Sequence, residues 1–229
     1  MKINTALILC AGYGKRLNPL THKAPKPLLK IKDQTLLEIT IKFIQNLGIP
    51  KIKINTFYLR EQIEEFIINK KFELDIEIIF DGDEILDTGG GILNMINHSK
   101  EDNFLVLNPD TIWNNEYLDY IKQMEQFYFL NNIENILMVV SKNLSFDKNL
   151  KGDFNCINNK LKKNFLNNYI FTGSQIINKK IFKDIKKKSF SITEIWDDLL
   201  KKNRLFALES KIEFKHVSNL DIYKKLLKN

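Results

Sequence analysis

The chain has 229 residues, 44% of them hydrophobic and 28% charged, with a formal net charge of +7. That apolar fraction excludes an intrinsically disordered chain, and no apolar run is long enough to span a bilayer. The two cysteines, Cys10 and Cys156, lie far apart and form neither a disulfide framework nor a zinc pattern, which fits a reducing cytoplasm. Residues 1–5 enter a strand-like segment without a small-residue cleavage site, so no secretory leader is expected. The positive charge comes from lysines dispersed among acids, a solvated surface rather than a nucleic-acid face.

In chain order, residues 3–9 are a continuous apolar run, the pattern of a strand buried on both faces. They lead into the turn Cys10-Ala11-Gly12-Tyr13-Gly14. Leu37, Ile41 and Ile44 recur at helical spacing and predict a helix over 36–47, stopped by Gly48-Ile49-Pro50. A strand follows over 51–57, a helix over 60–70 and a strand over 74–80. Gly89-Gly90-Gly91 opens a short helix towards His98, a lone histidine read as structural. Residues 104–107 form another buried strand, followed by the turn Asn108-Pro109-Asp110 and a helix near 114–123. Strands and helices alternating over short connections predict an α/β fold with a mostly parallel central sheet, covered on both faces. Beyond a core strand at 136–141 the character changes. Residues 152–157, 160–165, 168–172 and 175–177 are short strand candidates that suit hairpins, a small antiparallel insertion. A helix over 193–202, strands over 205–208 and 212–217, and a helix over 219–227 close the chain. No repeat or linker divides it, so one domain spans 1–229.

Five of only nine glycines fall in two places, Gly12 and Gly14 and the Gly89-Gly90-Gly91 run. Such clustering marks backbone positions where a side chain would obstruct something, with turn punctuation as the plainer alternative. A glycine loop at a strand's carboxyl end exposes amides that can hold a phosphate chain. Gly14-Lys15-Arg16 lacks the hydroxyl of a P-loop, and the segment lacks the third glycine and acid of a dinucleotide fingerprint. It does carry Arg16, with Lys26 ten residues on in Pro25-Lys26-Pro27, where proline is expected to hold Lys26 extended. Two cations beside a nest of amides suit a triphosphate. Asp110 ends a buried strand at the edge where open sheets bind ligands, and a carboxylate there suits Mg²⁺. Its alternative role is a cap for the following helix.

These residues resemble the sugar-1-phosphate nucleotidyltransferases. The likeness rests on Cys10-Ala11-Gly12-Tyr13-Gly14-Lys15-Arg16-Leu17, then Pro25-Lys26-Pro27-Leu28, Leu86-Asp87-Thr88-Gly89-Gly90-Gly91, Lys151-Gly152-Asp153-Phe154 and Phe171-Thr172-Gly173, in the family's order. It is nearest to N-acetylmuramate α-1-phosphate uridylyltransferases and to small mannose- or heptose-1-phosphate guanylyltransferases. The resemblance implies a Rossmann-like nucleotidyltransferase fold, a nucleotide-binding half to about residue 135 and a sugar-binding half beyond it. It implies transfer of a nucleotidyl group from a nucleoside triphosphate to a sugar 1-phosphate, releasing pyrophosphate, in nucleotide-sugar synthesis for the cell envelope. The pair would be UTP with N-acetylmuramate 1-phosphate or GTP with mannose 1-phosphate.

By the same resemblance Arg16, Lys26 and Asp110 are catalytic, with Mg²⁺ as cofactor. Leu9, Ala11, Gly12, Gly14, Lys15, Thr88, Gly89 and Asn108 would face the nucleotide, and Gly152, Asp153 and Thr172 the sugar. The family usually places a second metal-binding aspartate on a late strand. Here His216 occupies that position in Lys215-His216-Val217, and imidazole prefers softer ions than Mg²⁺. That departure, with Pro109 before Asp110, supports a second reading: a nucleotide-sugar-binding or regulatory protein on the same fold that has lost turnover.

Overall fold

The segment Thr5–Leu9 (β1) sends Ala6 and Ile8 to one face and Leu7 to the other, and all three are fully buried. Its unbroken apolar run is therefore required by burial on both sides rather than one. The computed structural model describes residues 2–228; Met1 and Asn229 lie outside the described residues.

A small hairpin of Lys30–Ile31 (β2) and Gln34–Thr35 (β3) precedes helix Leu36–Leu47 (α1). Thr35 caps α1 by accepting the Glu38 N–H at 3.1 Å, and Gly48 ends it in the left-handed conformation. Lys51–Thr56 (β4), Arg60–Lys70 (α2), Asp75–Phe80 (β5), Asp87–Asn97 (α3) and Asn103–Leu107 (β6) complete the alternating first half. Then come Tyr117–Leu130 (α4), Asn135–Ser141 (β7), Asn155–Ile157 (β8), Lys160–Lys162 (β9) and Tyr169–Asn178 (β10). Ile192–Lys201 (α5), Phe206–Ser210 (β11) and Leu220–Leu226 (α6) end the fold.

Nine of these strands form one sheet in the order β5-β4-β1-β6-β10-β7-β11-β9-β8. Seven run in one direction; only β9 and β10 oppose them. On one face β1, β4 and β6 pack against α1, α2 and α4 through Leu37, Ile41, Ile63, Ile121 and Met124. On the other, α3 and α5 bury Ile92, Met95, Ile195, Trp196 and Leu199. Among the described residues no helix is long and apolar enough to cross a membrane.

Beyond β6 the chain departs from expectation in three places. Residues 168–172 and 175–177 are not separate hairpin strands but one ten-residue strand, β10, inserted between β6 and β7 in the middle of the sheet. Gly173-Ser174 reads as a break in sequence, yet here it is a register shift between Phe171 and Gln175, absorbed within the strand. The alternating stretch 212–217 pairs only through single bridges, Phe214 with Ser145 and His216 with Thr111, because its neighbours are loops. The helix expected near 114–123 starts at Tyr117, since the Asn114 side chain accepts the Glu116 N–H at 3.1 Å and holds a turn there.

Candidate active site

The carboxyl ends of β1, β4 and β6 open onto a cleft of 330 Å³. The glycine loop forms its floor. Gly14 has φ of 63°, and a Cβ on it would lie 2.9 Å from Thr21 Cγ2 and 3.1 Å from Lys26 Cβ. Left-handed backbone and close approach both call for glycine, and together they hold the loop against the Lys26 segment. Gly12 is different: nothing lies within 4 Å of where its Cβ would be, so no packing in the protein requires glycine and the space beside it belongs to the cleft.

Lys26 opens a single 3₁₀ turn, Lys26–Leu28, closed by Leu28 N–H to Pro25 O at 2.9 Å. The segment is therefore not extended as the two prolines led one to expect. Pro25 is extended, but Pro27 fits within a first helical turn, where no N–H is needed. From this turn Lys26 Nζ donates to Asp110 Oδ2 at 2.6 Å.

Asp110 and His216 are brought together by backbone. Ile112 N–H bonds to Lys215 O and Val217 N–H to Asp110 O, both at 2.9 Å. From the other side, Asn108 N–H bonds to Gly173 O at 2.8 Å and Thr111 Oγ1 to Thr172 O at 2.6 Å. Gly173, with φ of 89°, permits this approach, since a Cβ there would stand 2.9 Å from Asn108 Cβ. His216 Nε2 lies 3.1 Å from Asp110 Oδ2, and its ring stacks on Phe214. Asp110 thus does not cap α4. Burial would raise its carboxyl, but the charges of Lys26 and His216 and their hydrogen bonds outweigh that and hold it well below the usual carboxylate range.

A second hollow of 260 Å³ lies on the β10 side, lined by Lys151, Asp153, Phe171, Thr172 and His216 among others. The two hollows share Arg16, Asn108 and Asp110. Leu9, Ala11, Gly12, Gly14 and Thr88 line the first, together with Lys26. Lys15 stands at the outer rim with its ammonium 5.2 Å from the Tyr13 ring centroid. Asp153 accepts the Phe171 N–H at 2.8 Å, and the Thr172 hydroxyl donates to Met138 O at 3.0 Å.

Besides Lys15, two of the expected site residues line neither hollow. Gly89 sits inside α3, which begins two residues before the glycine run, and a Cβ there would fall 2.3 Å from the Phe190 ring. Gly89 N–H bonds to Phe190 O at 2.9 Å, so the glycine admits the 188–190 segment. Gly152 likewise meets the Asn167 carbonyl, 2.1 Å from a would-be Cβ.

Asn55 is a lining residue that the sequence reading missed. Its side chain accepts the Cys10 N–H at 2.9 Å and donates to the buried Asp81 at 2.8 Å, joining the ends of β1, β4 and β5. A polar Asn55-Thr56 at the carboxyl end of a buried strand was the available signal.

At the junction of the two hollows the carboxylate available to a divalent cation is Asp110, while Asp87 also lines the first hollow. Asp110 Oδ1 is buried and without a hydrogen-bond partner among the described residues. No group of three or more His, Cys, Asp or Glu side chains is arranged to hold a metal among those residues. One free carboxylate oxygen fits Mg²⁺ bound partly through phosphate and water, not through a protein cage.

Comparisons with known proteins agree with this architecture. The sequence model of the nucleotidyl transferase family matches residues 5–146. The mannose-1-phosphate guanylyltransferase catalytic subunit beta of Drosophila melanogaster is 29% identical over 212 residues, covering 89% of this chain and 56% of that protein. The D-glycero-alpha-D-manno-heptose 1-phosphate guanylyltransferase of Aneurinibacillus thermoaerophilus is 31% identical over 108 residues, 47% of this chain and 46% of the relative. The chain spans about half the length of the curated relatives it matches. Among solved structures, HddC from Yersinia pseudotuberculosis complexed with GMP-PN superposes with a TM-score of 0.80, at 22% identity over 99% of both chains. UDP-glucose pyrophosphorylase complexed with UDP-glucose gives 0.80 at 18% identity, over 99% of this chain and 98% of the other. At those identities the likeness is one of fold.

Proposed function

The chain belongs to the nucleotidyl transferase family, and on that premise we propose that it transfers a nucleotidyl group from a nucleoside triphosphate to a sugar 1-phosphate. The observation that carries this reading is the meeting of two hollows at Arg16, Asn108 and Asp110, with Lys26 paired to that aspartate. The β1 hollow takes the triphosphate over Gly12 and Gly14. The β10 hollow takes the sugar phosphate near Asp153 and Thr172. An oxygen of the sugar phosphate attacks the α-phosphorus, and the bond to the bridging β-oxygen breaks in line, so no protein nucleophile or proton transfer is needed.

The protein's task is alignment and charge neutralisation. Arg16 faces the leaving phosphates from the junction, and Lys26 stabilises the charge that develops around the α-phosphate. Asp110 orients the Lys26 ammonium through Oδ2 and offers Oδ1 to Mg²⁺. When bound, Mg²⁺ supplies Lewis-acid neutralisation of phosphate oxygens. The finer assignment is uridylyl or guanylyl transfer, to N-acetylmuramate 1-phosphate or mannose 1-phosphate respectively. A matrix of four triphosphates against several sugar 1-phosphates, read by product mass, tests it. A nucleotide sugar with one equivalent of pyrophosphate is expected for one pair. Nucleotide binding without product in every well would instead favour the second reading, a binding protein without turnover, which His216 in place of a carboxylate supports.

A further inference from the structure

Gly91, the third glycine of the α3 run, stands against side chains rather than a neighbouring segment. A Cβ on it would lie 2.5 Å from Asn55 Nδ2 and 3.6 Å from Asp81 Oδ2, so the bare backbone leaves room for this pair. Asp81 directly follows β5 and is 6% exposed; Asn55 is 1% exposed. Asp81 Oδ2 accepts from Asn55 Nδ2 at 2.8 Å, and Oδ1 from Asn94 Nδ2 of α3 at 3.1 Å. No lysine, arginine or histidine pairs with this carboxylate among the described residues. A carboxylate buried without a cation costs stability, and here it gains only two amide hydrogen bonds. Asn55 Oδ1 in turn accepts the Cys10 N–H at 2.9 Å, where β1 has ended and the chain turns into the glycine loop. The next amides, those of Ala11, Gly12 and Tyr13, have no hydrogen-bond partner among the described residues. Ionised Asp81 only accepts, so it fixes which end of the Asn55 amide faces each way. Without it Nδ2 would be a buried donor lacking an acceptor, and turning towards the cleft to reach water would release Cys10.

We propose that Asp81 is a positioning residue for the triphosphate. Acting through Asn55, it holds the Cys10 amide and thereby sets the direction in which the free amides of the glycine loop face the phosphates. The inference rests on the reading of the β1 hollow as a triphosphate site. Asn94 fixes Asp81 itself and so ties the loop to α3, whose Thr88 lines the same hollow. Gly91 is then glycine because the relay passes through the space its side chain would fill. Asp81 lines neither hollow, so its effect is confined to the loop that Asn55 holds.

The test is titration calorimetry of the full chain with each of the four triphosphates, beside steady-state kinetics and a Tm for every variant. Asp81→Leu should raise Kd and KM for the preferred triphosphate about tenfold, the loss of a hydrogen bond to a charged group. KM for the sugar 1-phosphate should stay within about twofold, a split that general loosening of the fold would not give. Asp81→Asn keeps an oxygen for Asn55 and should lie within about threefold of wild type. In an Asn55→Leu background Asp81→Leu should add less than about twofold, because its path to the loop is already gone. Gly91→Ala favours the helix yet pushes on Asn55 with Asp81 left in place, so it should weaken triphosphate binding to a similar degree. It decides the question if Asp81→Leu fails to fold. Wild-type triphosphate affinity in folded Asp81→Leu or in Gly91→Ala, or additive losses in the double variant, overturns this inference and leaves the proposed function standing. So does an equal rise in both KM values, or an Asp81→Asn variant as weak as Asp81→Leu. Binding of no nucleotide by the wild type under any condition overturns the proposed function and this inference with it.

Discussion

The Lys26–Asp110 pair is mostly shielded from water, with 14% and 19% of the two side chains exposed, and His216 shares the acceptor oxygen. A pair so placed costs desolvation and repays it through geometry, the economy of a site rather than of a scaffold. Lys26→Ala should therefore lower turnover by about 100-fold or more while lowering stability by only about 1–3 kcal/mol, because His216 still holds the aspartate. Steady-state kinetics beside a denaturant curve would show it; unchanged kcat in a folded variant removes Lys26 from the chemistry. The glycines divide in the same way. Gly12→Ala meets nothing within 4 Å in the protein and should leave stability within about 0.5 kcal/mol. It should weaken triphosphate binding, as measured by titration calorimetry. Equal nucleotide affinity in the variant and parent would mean the space beside Gly12 is not used.

At the scale of elements, α3 shows why the glycine run misleads. Gly89 and Gly90 lie against Phe190 and the Lys188 carbonyl, so their missing side chains let α3 dock on the segment leading into α5. Gly89→Val should accordingly destabilise the fold by about 1–3 kcal/mol or more through overpacking, seen as a lowered Tm without nucleotide present. An unchanged Tm with weakened nucleotide binding would restore the base-facing role. Helices α1 and α2 are joined by Glu38, whose carboxylate lies 3.0 Å from Lys42 and 2.9 Å from Lys70. Burial pushes the Glu38 carboxyl up, but its hydrogen bonds to Lys70 and Lys42 and their charges outweigh that and lower it. With the folded value below the unfolded one of ~4.3, the contribution to stability is full above that pH and is lost as pH falls through the folded value. Glu38→Gln should cost about 1 kcal/mol at neutral pH, a cost that vanishes in acid. A penalty that persists in acid would mean Glu38 acts through packing instead.

Across the whole molecule, the first half was legible because its elements carry their own periods: the apolar run of β1 and the helical spacing of α1 match what burial on the sheet demands, and the alternation of β4 marks Ile52 and Ile54 as core although Lys53 and Asn55 are buried as well. Asp110 was legible because a carboxylate ending a buried strand has few structural uses. The second half was less so. β10 crosses the middle of the sheet with Thr172, Ser174 and Gln175 fully or almost fully buried. Thr172 and Gln175 find partners distant in sequence, Met138 and Asn135, while the Ser174 hydroxyl is buried without a hydrogen-bond partner among the described residues. Residues 212–217 look like a strand but pair with loops, and it is this pairing that carries His216 to Asp110. Asn55 and the true contacts of Gly89 depend on the same long-range assembly, which local pattern does not encode.

The sheet thus sets the β1 hollow, proposed for the triphosphate, beside the β10 hollow, proposed for the sugar phosphate, with the Asp110 carboxylate at their junction. The most direct test of that account is pyrophosphate release, measured with the best substrate pair for wild type and for Asp110→Asn of matched Tm. The account predicts stoichiometric pyrophosphate and nucleotide sugar from the wild type, and a loss of about 100-fold or more in the variant. Equal turnover by Asp110→Asn would contradict it, because the junction of the two hollows would then not be where the phosphoryl bond is exchanged.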